Sequence, residues 1–315
     1  MILPRNTPSA ADTRPTLGGR KVHRVVFVTG KGGVGKSVVA AATALQLARA
    51  GRRVLLVELG SRSFYGPLLG LTVGAEAVRW TPRIDVARWD VESSFREYVA
   101  HYLLFKAAAD RVLNHTVMKA LMAAAPSLAE LAILGKLMGP MLHGWYKREV
   151  DAVVVDAYAT GQFMALVRAP RGMSRTATSG PMHRHTLAMT TLLCNPAISE
   201  YRLVTLAGEM PTAETCDMAR QLRAETGIAA RIYCNRLIDL PSRLPAWPAD
   251  DPAAAFVQHM ARVAARQRES LRELDALGSE RDGPVRRLPF VPVADARRLL
   301  DALADALDGE AEAAR

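Results

Sequence analysis

The chain has 315 residues, half of them hydrophobic, with 41 Lys and Arg against 31 Asp and Glu, a formal net charge of +10. That length allows one large α/β domain or two smaller ones with a substantial core, and no window offers the long uninterrupted apolar stretch of a membrane span. The most apolar stretch, 121–142, is broken by Pro126, Glu130, Lys136 and Pro140 and reads as a pair of short helices rather than a continuous apolar segment. The positive charge is spread out and interleaved with acids. In 261–277, Arg262, Arg266, Arg268 and Arg272 are mixed with Glu269, Glu273 and Asp275, the pattern of a solvated helix face, which disfavours nucleic acid as a partner. Cys194, Cys216 and Cys234 lie far apart, without the spacing of a metal or disulfide framework, and read as buried reduced thiols.

Residues 1–20 are rich in Pro, Thr, Ala and Gly and lack the apolar core of a signal peptide; they read as a disordered lead, and the protein as cytoplasmic. A strand over 24–29 follows, then a glycine-rich loop and a helix over 36–50, closed by Gly51. A second strand covers 53–58. From 90 to 148 the strand signal disappears, and the spacing predicts short helices over 92–104, 106–114, 117–124 and 127–138. Strands over 151–156, 202–206, 230–235 and 287–291 alternate with helical segments, including a second helical excursion over 162–196. The segment 241–252 is a proline-rich loop, and 308–315 a frayed tail. Fully apolar strands separated by helices predict an α/β fold with a mostly parallel central sheet flanked by helices. A single domain over 21–307 is expected, with helical insertions at about 90–148 and 163–200.

The chemistry concentrates in Thr29-Gly30-Lys31-Gly32-Gly33-Val34-Gly35-Lys36-Ser37, set between a strand and a helix. This is the context of a phosphate-binding loop: glycine backbone curls around a polyphosphate, and the helix N-terminus adds to the attraction for anions. Lys36 is placed for the β- and γ-phosphates of ATP, and the Ser37 hydroxyl for Mg2+. Gly30, Gly32, Gly33, Val34, Gly35 and Val38 complete the cradle. Lys31 is a second lysine, at the start of the loop, and the pattern K-G-G-V-G-K-S resembles the deviant Walker A loop of the ATPase superclass that contains MinD, ParA, nitrogenase iron protein and ArsA. The resemblance implies a homodimer in which Lys31 reaches the nucleotide of the partner.

Asp156 ends an apolar strand at the tip that faces ligand in open α/β sheets; an acid there suits water-mediated contact with Mg2+. The run Asp156-Ala157-Tyr158-Ala159-Thr160-Gly161-Gln162, followed by Pro170, resembles the D-T-A-P-T-G-H switch of the ArsA group, with Ala159 in place of proline and Gln162 in place of histidine. Gly161 can bring its backbone N–H close to a γ-phosphate. Met210-Pro211-Thr212-Ala213-Glu214-Thr215 is similar to another family segment, and Cys234-Asn235-Arg236 to its adenine loop. Together these motifs resemble ArsA-type ATPases over about 21–307, in particular the guided-entry ATPases that escort tail-anchored membrane proteins and their bacterial counterparts. The resemblance implies that Asn235 hydrogen-bonds adenine and that Pro289 flanks it. Read from its position alone, Asn235 is equally a strand-end turn former.

Several positions depart from the family. Where it carries a catalytic carboxylate after the second strand, this chain has Gly60 in Val57-Glu58-Leu59-Gly60-Ser61. Glu58 is the nearest acid, and it either orients the attacking water or only contacts the metal shell; weak ATPase activity is expected. The C-x-x-C pair of eukaryotic guided-entry ATPases, the arsenite-binding cysteines and a cluster-ligating cysteine after Asp156 are not recognisable. The Met- and Leu-rich helices, with Phe95, Tyr98, Leu131, Leu134, Met138, Met164 and Met189 among their apolar residues, either form a groove for a client or membrane-protein segment or pack internally. A dimeric ATP-gated switch, a ParA- or MinD-like positioning ATPase and a nucleotide-locked scaffold are the functional alternatives. The acid-containing C-terminal stretch 295–312 disfavours a MinD-like membrane helix.

Overall fold

The computed structural model describes residues 15–17, 20–102, 126–142, 150–240 and 251–313. Residues 1–14 and 18–19 of the lead expected over 1–20, the predicted helices over 106–114 and 117–124, and most of the proline-rich loop lie outside these residues. A short antiparallel ribbon, β1 (Thr16–Leu17) with β2 (Arg20–Lys21), precedes the main sheet.

The main sheet has eight strands: β3 (Arg24–Gly30), β4 (Val54–Leu59), β5 (Val78–Thr81), β6 (Ile84–Trp89), β7 (Ala152–Ala159), β8 (Ser199–Leu206), β9 (Arg231–Leu237) and β10 (Arg286–Pro289). Their order is β10-β9-β8-β3-β7-β4-β6-β5. Every neighbouring pair is parallel except β5 with β6. The strands β5 and β6 show no apolar run in the sequence because they carry charges. Asp85 of β6 sits opposite Arg79 of β5 in register, and the two form an ion pair at 2.8 Å, so the edge hairpin tolerates a charge inside a strand.

Alternation along the buried strands builds two cores. Val26, Val28, Val154 and Val204 face α1 (Lys36–Arg49), α2 (Tyr65–Leu69) and the C-terminal α9 (Ala296–Ala313). Val25, Phe27, Val153, Val155 and Leu203 face the opposite way. That second core is covered by α3 (Val91–Tyr102), α4 (Pro126–Leu142), α5 (Thr160–Thr176), α6 (Gly180–Leu193), α7 (Glu209–Thr226) and α8 (Pro252–Asp275). Both faces are therefore dry, as all-apolar parallel strands require.

The described part of the helical insertion packs inward. Phe95, Tyr98, Leu131, Leu134, Leu137, Met138, Met164 and Met189 are all buried in the second core. Gly135 lets α3 approach α4 closely, since a Cβ there would lie 2.8 Å from the Tyr98 ring. For these residues the internal-packing alternative is the one realised. Leu103, Leu104, Met118, Leu121 and Met122 fall outside the described residues. Cys234 is buried, whereas Cys194 and Cys216 are half-buried.

Beneath α1 lies a buried charge cluster. Glu200 accepts hydrogen bonds from Arg202 at 2.8 Å and Arg231 at 3.1 Å, and pairs with Arg24 at 2.8 Å. Arg202 also donates to Thr43 at 3.0 Å and stacks over the Tyr233 ring. Burial alone would raise the Glu200 carboxyl, but the three guanidinium groups outweigh it and hold the pKa at about 2.

Candidate functional site

Parallel pairing brings the site residues into one row. Val28 of β3 lies opposite Asp156 of β7, and Asp156 lies opposite Glu58 of β4. The loop after β3 therefore arches over two adjacent carboxylates at the C-terminal edge of the sheet, where such sheets bind ligands.

The loop conformation depends on glycine. Gly33 and Gly35 have φ of +84° and +94°, which L side chains rarely adopt. Gly30 abuts the Val204 carbonyl, only 2.1 Å from where a Cβ would stand. Gly35 caps α1 with no side-chain hydrogen bond, and the first turn contains no acid. The first N–H groups of the helix thus remain available to an anion. Gly32 is exposed, and a Cβ on it would meet nothing. Val34 is buried beneath the loop, while Lys36, Ser37 and Val38 are half-buried in the first turn of α1.

Lys36 folds back over the loop, its Nζ donating to the Lys31 carbonyl at 3.2 Å. Burial lowers its pKa, and the Asp156 charge partly opposes this. Lys31 points away from that cation and pairs with Glu214 of α7 at 2.5 Å.

Asp156 is buried, and burial pushes its carboxyl up to about 6, with Ser37 and Lys36 pulling down and Glu58 pushing up. A desolvated carboxylate beside a serine hydroxyl is a hard-oxygen donor set. Sites for Mg2+ of this type use one or two carboxylates together with substrate phosphates, so Ser37 and Asp156 fit that ion.

Glu58 is also buried, and both of its oxygens are engaged. Oε2 accepts from the Ser63 hydroxyl at 2.9 Å, and Oε1 from the Phe64 N–H. It anchors the turn into α2. Gly60 has φ of +156° and donates its N–H to the Trp89 carbonyl at 3.1 Å. Arg88 clamps the carbonyls of Gly60 and Ser61 at 3.1 and 3.0 Å. The position where the resemblance expects an acid is thus shaped for glycine.

In the run that resembles the family's switch motif, β7 continues to Ala159, and α5 begins at Thr160. The Thr29 hydroxyl donates to the Tyr158 carbonyl at 2.7 Å, tying this segment to the phosphate loop. Gly161 is exposed in the first turn of α5, with nothing within 4 Å of a Cβ. The fold itself sets no steric requirement for glycine there.

Asn235, two residues before the end of β9, braces the loop. Its Nδ2 donates to the Val34 carbonyl at 2.9 Å, and its Oδ1 accepts from the Arg236 N–H at 2.9 Å. Arg236 adopts φ of +58° beside it. One N–H and one lone pair of the amide remain for a ligand. Pro289, exposed at the end of β10, lines a cavity of about 690 Å³ with Leu237, Arg287 and helix α8. The motifs gave no hint of Tyr65. It is fully buried, and its hydroxyl lies 2.9 Å from the Ser37 carbonyl and 3.2 Å from Asp156 Oδ2.

Comparison with known proteins bears on the family. The sequence profile of the family described as Anion-transporting ATPase matches residues 23–183, about half of the chain. The chain belongs to that family. It is 30% identical over 236 residues to ATPase BagA of Mycobacterium tuberculosis, covering 72% of this chain and 68% of the relative. It is 28% identical over 160 residues to an arsenical pump-driving ATPase of Escherichia coli, and 29% identical over 160 residues to one of Acidiphilium multivorum. Each of these matches covers 50% of this chain and 27% of the relative. The chain spans only about a quarter of those pump ATPases. The anion-transporting ATPase family is a family of P-loop ATPases, and its α/β fold, with a mostly parallel sheet, is the one seen here. Among the described residues, no helix is long and apolar enough to cross a membrane.

Proposed function

We propose that this member of the family is a cytoplasmic, dimeric, slowly hydrolysing ATP switch of the ArsA and guided-entry type, handling a protein client or membrane-protein segment. The observation that carries the reading is the phosphate loop. Its left-handed glycines and the uncapped first turn of α1 stand beside Asp156, whose carboxylate interacts with both Ser37 and Lys36. In this reading the backbone from Gly30 to Val38 and the Lys36 ammonium hold the phosphates, and Asn235 and Pro289 border the base. Ser37 and Asp156 hold Mg2+, which supplies charge neutralisation between phosphate oxygens when bound. Lys31 leaves Glu214 to reach the nucleotide of a second copy. The exposed Gly161 N–H meets the terminal phosphate.

Turnover is slow in this reading because Gly60 provides no carboxylate and Glu58 is committed to Ser63 and Phe64. The same observation favours a second reading, a scaffold that ATP locks but that does not hydrolyse it. Size-exclusion chromatography with product analysis in Mg-ATP tests both. The native chain is expected to shift to a dimer and form ADP slowly. Lys36→Ala should lose nucleotide binding, and Lys31→Ala should bind but neither dimerise nor turn over. A native chain that binds no ATP refutes the proposal, and one that dimerises without forming ADP leaves the scaffold.

A further inference from the structure

Tyr65 opens α2, in the loop that follows β4, and is buried although its neighbour Phe64 is 41% exposed. The segment is pinned from both sides. Glu58 accepts from Ser63 and Phe64, and the Gly66 N–H donates to the Ser63 hydroxyl at 2.9 Å. The pinned segment sends one polar group inward. The hydrogen of the Tyr65 hydroxyl has two acceptors within reach, the carbonyl of Ser37 and the carboxylate of Asp156. These belong to the first turn of α1 and to β7, the two elements that would hold a metal–nucleotide complex. The rest of the ring lies in the apolar core of that face, among valines and alanines of α1 and the sheet. A phenylalanine would satisfy that packing. A hydroxyl in such a place costs free energy unless it is hydrogen-bonded, so its presence follows from what it bonds.

We propose that Tyr65 is a positioning residue for the magnesium–nucleotide site. Its hydroxyl fixes the Asp156 carboxylate relative to the Ser37 turn and links the loop after β4 to the filling of that site. Tyr65 itself touches neither phosphate nor metal. This rests on the reading of Ser37 and Asp156 as the Mg2+ residues.

The test compares the native chain with Tyr65→Phe, using a fluorescent ATP analogue titrated in Mg2+ and in excess EDTA. The two proteins should bind alike in EDTA, which shows that fold and loop are intact. In Mg2+ the native affinity should rise, and Tyr65→Phe should lose about tenfold of that rise, the scale of a hydrogen bond to a charged group. Tryptic cleavage after the exposed Arg62 gives a second readout without turnover. Mg-nucleotide should slow it in the native chain and leave it unchanged in the variant. A variant that keeps the full Mg2+ response by both measures, or one that already fails to bind in EDTA, overturns the positioning role. A native chain indifferent to Mg2+ would sink the metal-site reading along with it, whereas equal responses in both proteins would sink the Tyr65 role alone.

Discussion

Replacing Gly35 by alanine tests the loop at its most constrained point. At φ of +94°, an L residue at this cap is strained by about 1–2 kcal/mol. The new methyl would also stand 2.4 Å from Asn235 Nδ2, so the amide must leave. That breaks its 2.9 Å bond to the Val34 carbonyl and strands a buried acceptor, a further loss of roughly 1–3 kcal/mol. Gly35→Ala should therefore destabilise the nucleotide-free chain by about 2–5 kcal/mol, read as urea unfolding of the apo protein. Asn235→Ala alone should lose only the amide contribution. In the double variant the amide is lost only once, so the two effects should fall short of their sum by that amide contribution, about 1–3 kcal/mol. Measuring without nucleotide separates this from any contact between Asn235 and a base. Strict additivity, or a Gly35→Ala protein as stable as native, would refute the claim that the amide and the loop are locked together.

Three further outcomes follow. If Glu58 orients the attacking water despite its two hydrogen bonds, Glu58→Gln should slow single-turnover ADP formation by at least about tenfold; an unchanged rate removes it from the mechanism. Glu214→Gln should free Lys31 at a stability change below about 1 kcal/mol, because both partners are about 40% exposed. It should also lower the ATP concentration at which sedimentation detects dimers, and an unmoved midpoint would show that the pair does not restrain Lys31. Finally, Glu200 is held at about 2 when folded, below the ordinary 4.5. Its contribution of about 3 kcal/mol is present above pH 4.5 and disappears as pH falls through 2. Unfolding free energy across that window should be flatter in Glu200→Gln than in the native chain; parallel profiles would mean that the arginine cluster does not stabilise the charge.

The motifs were legible because their chemistry is local. Loop glycines, two lysines and a serine at fixed spacing between a strand and a helix describe a phosphate cradle before any tertiary contact is known. The buried strands were legible for a related reason: a run covered on both faces must be apolar throughout. The strands β5 and β6 were missed because Asp85 breaks that rule and is compensated by Arg79, a partner that only strand pairing supplies. Glu58 was visible as a carboxylate, but its commitment to Ser63 and Phe64 was not, since it depends on how the chain turns after β4.

By itself, then, the sequence determined the class of fold, the place of the phosphate loop and the family, since each rests on residues adjacent in the chain or on a repeating pattern. Tertiary structure alone decided that Asn235 supports the loop from a strand some 200 residues away, that Lys31 rests on Glu214, and that Tyr65 reaches Asp156. Those contacts join elements with no fixed spacing between them. Their geometry is set by sheet order and helix docking, which no local pattern encodes.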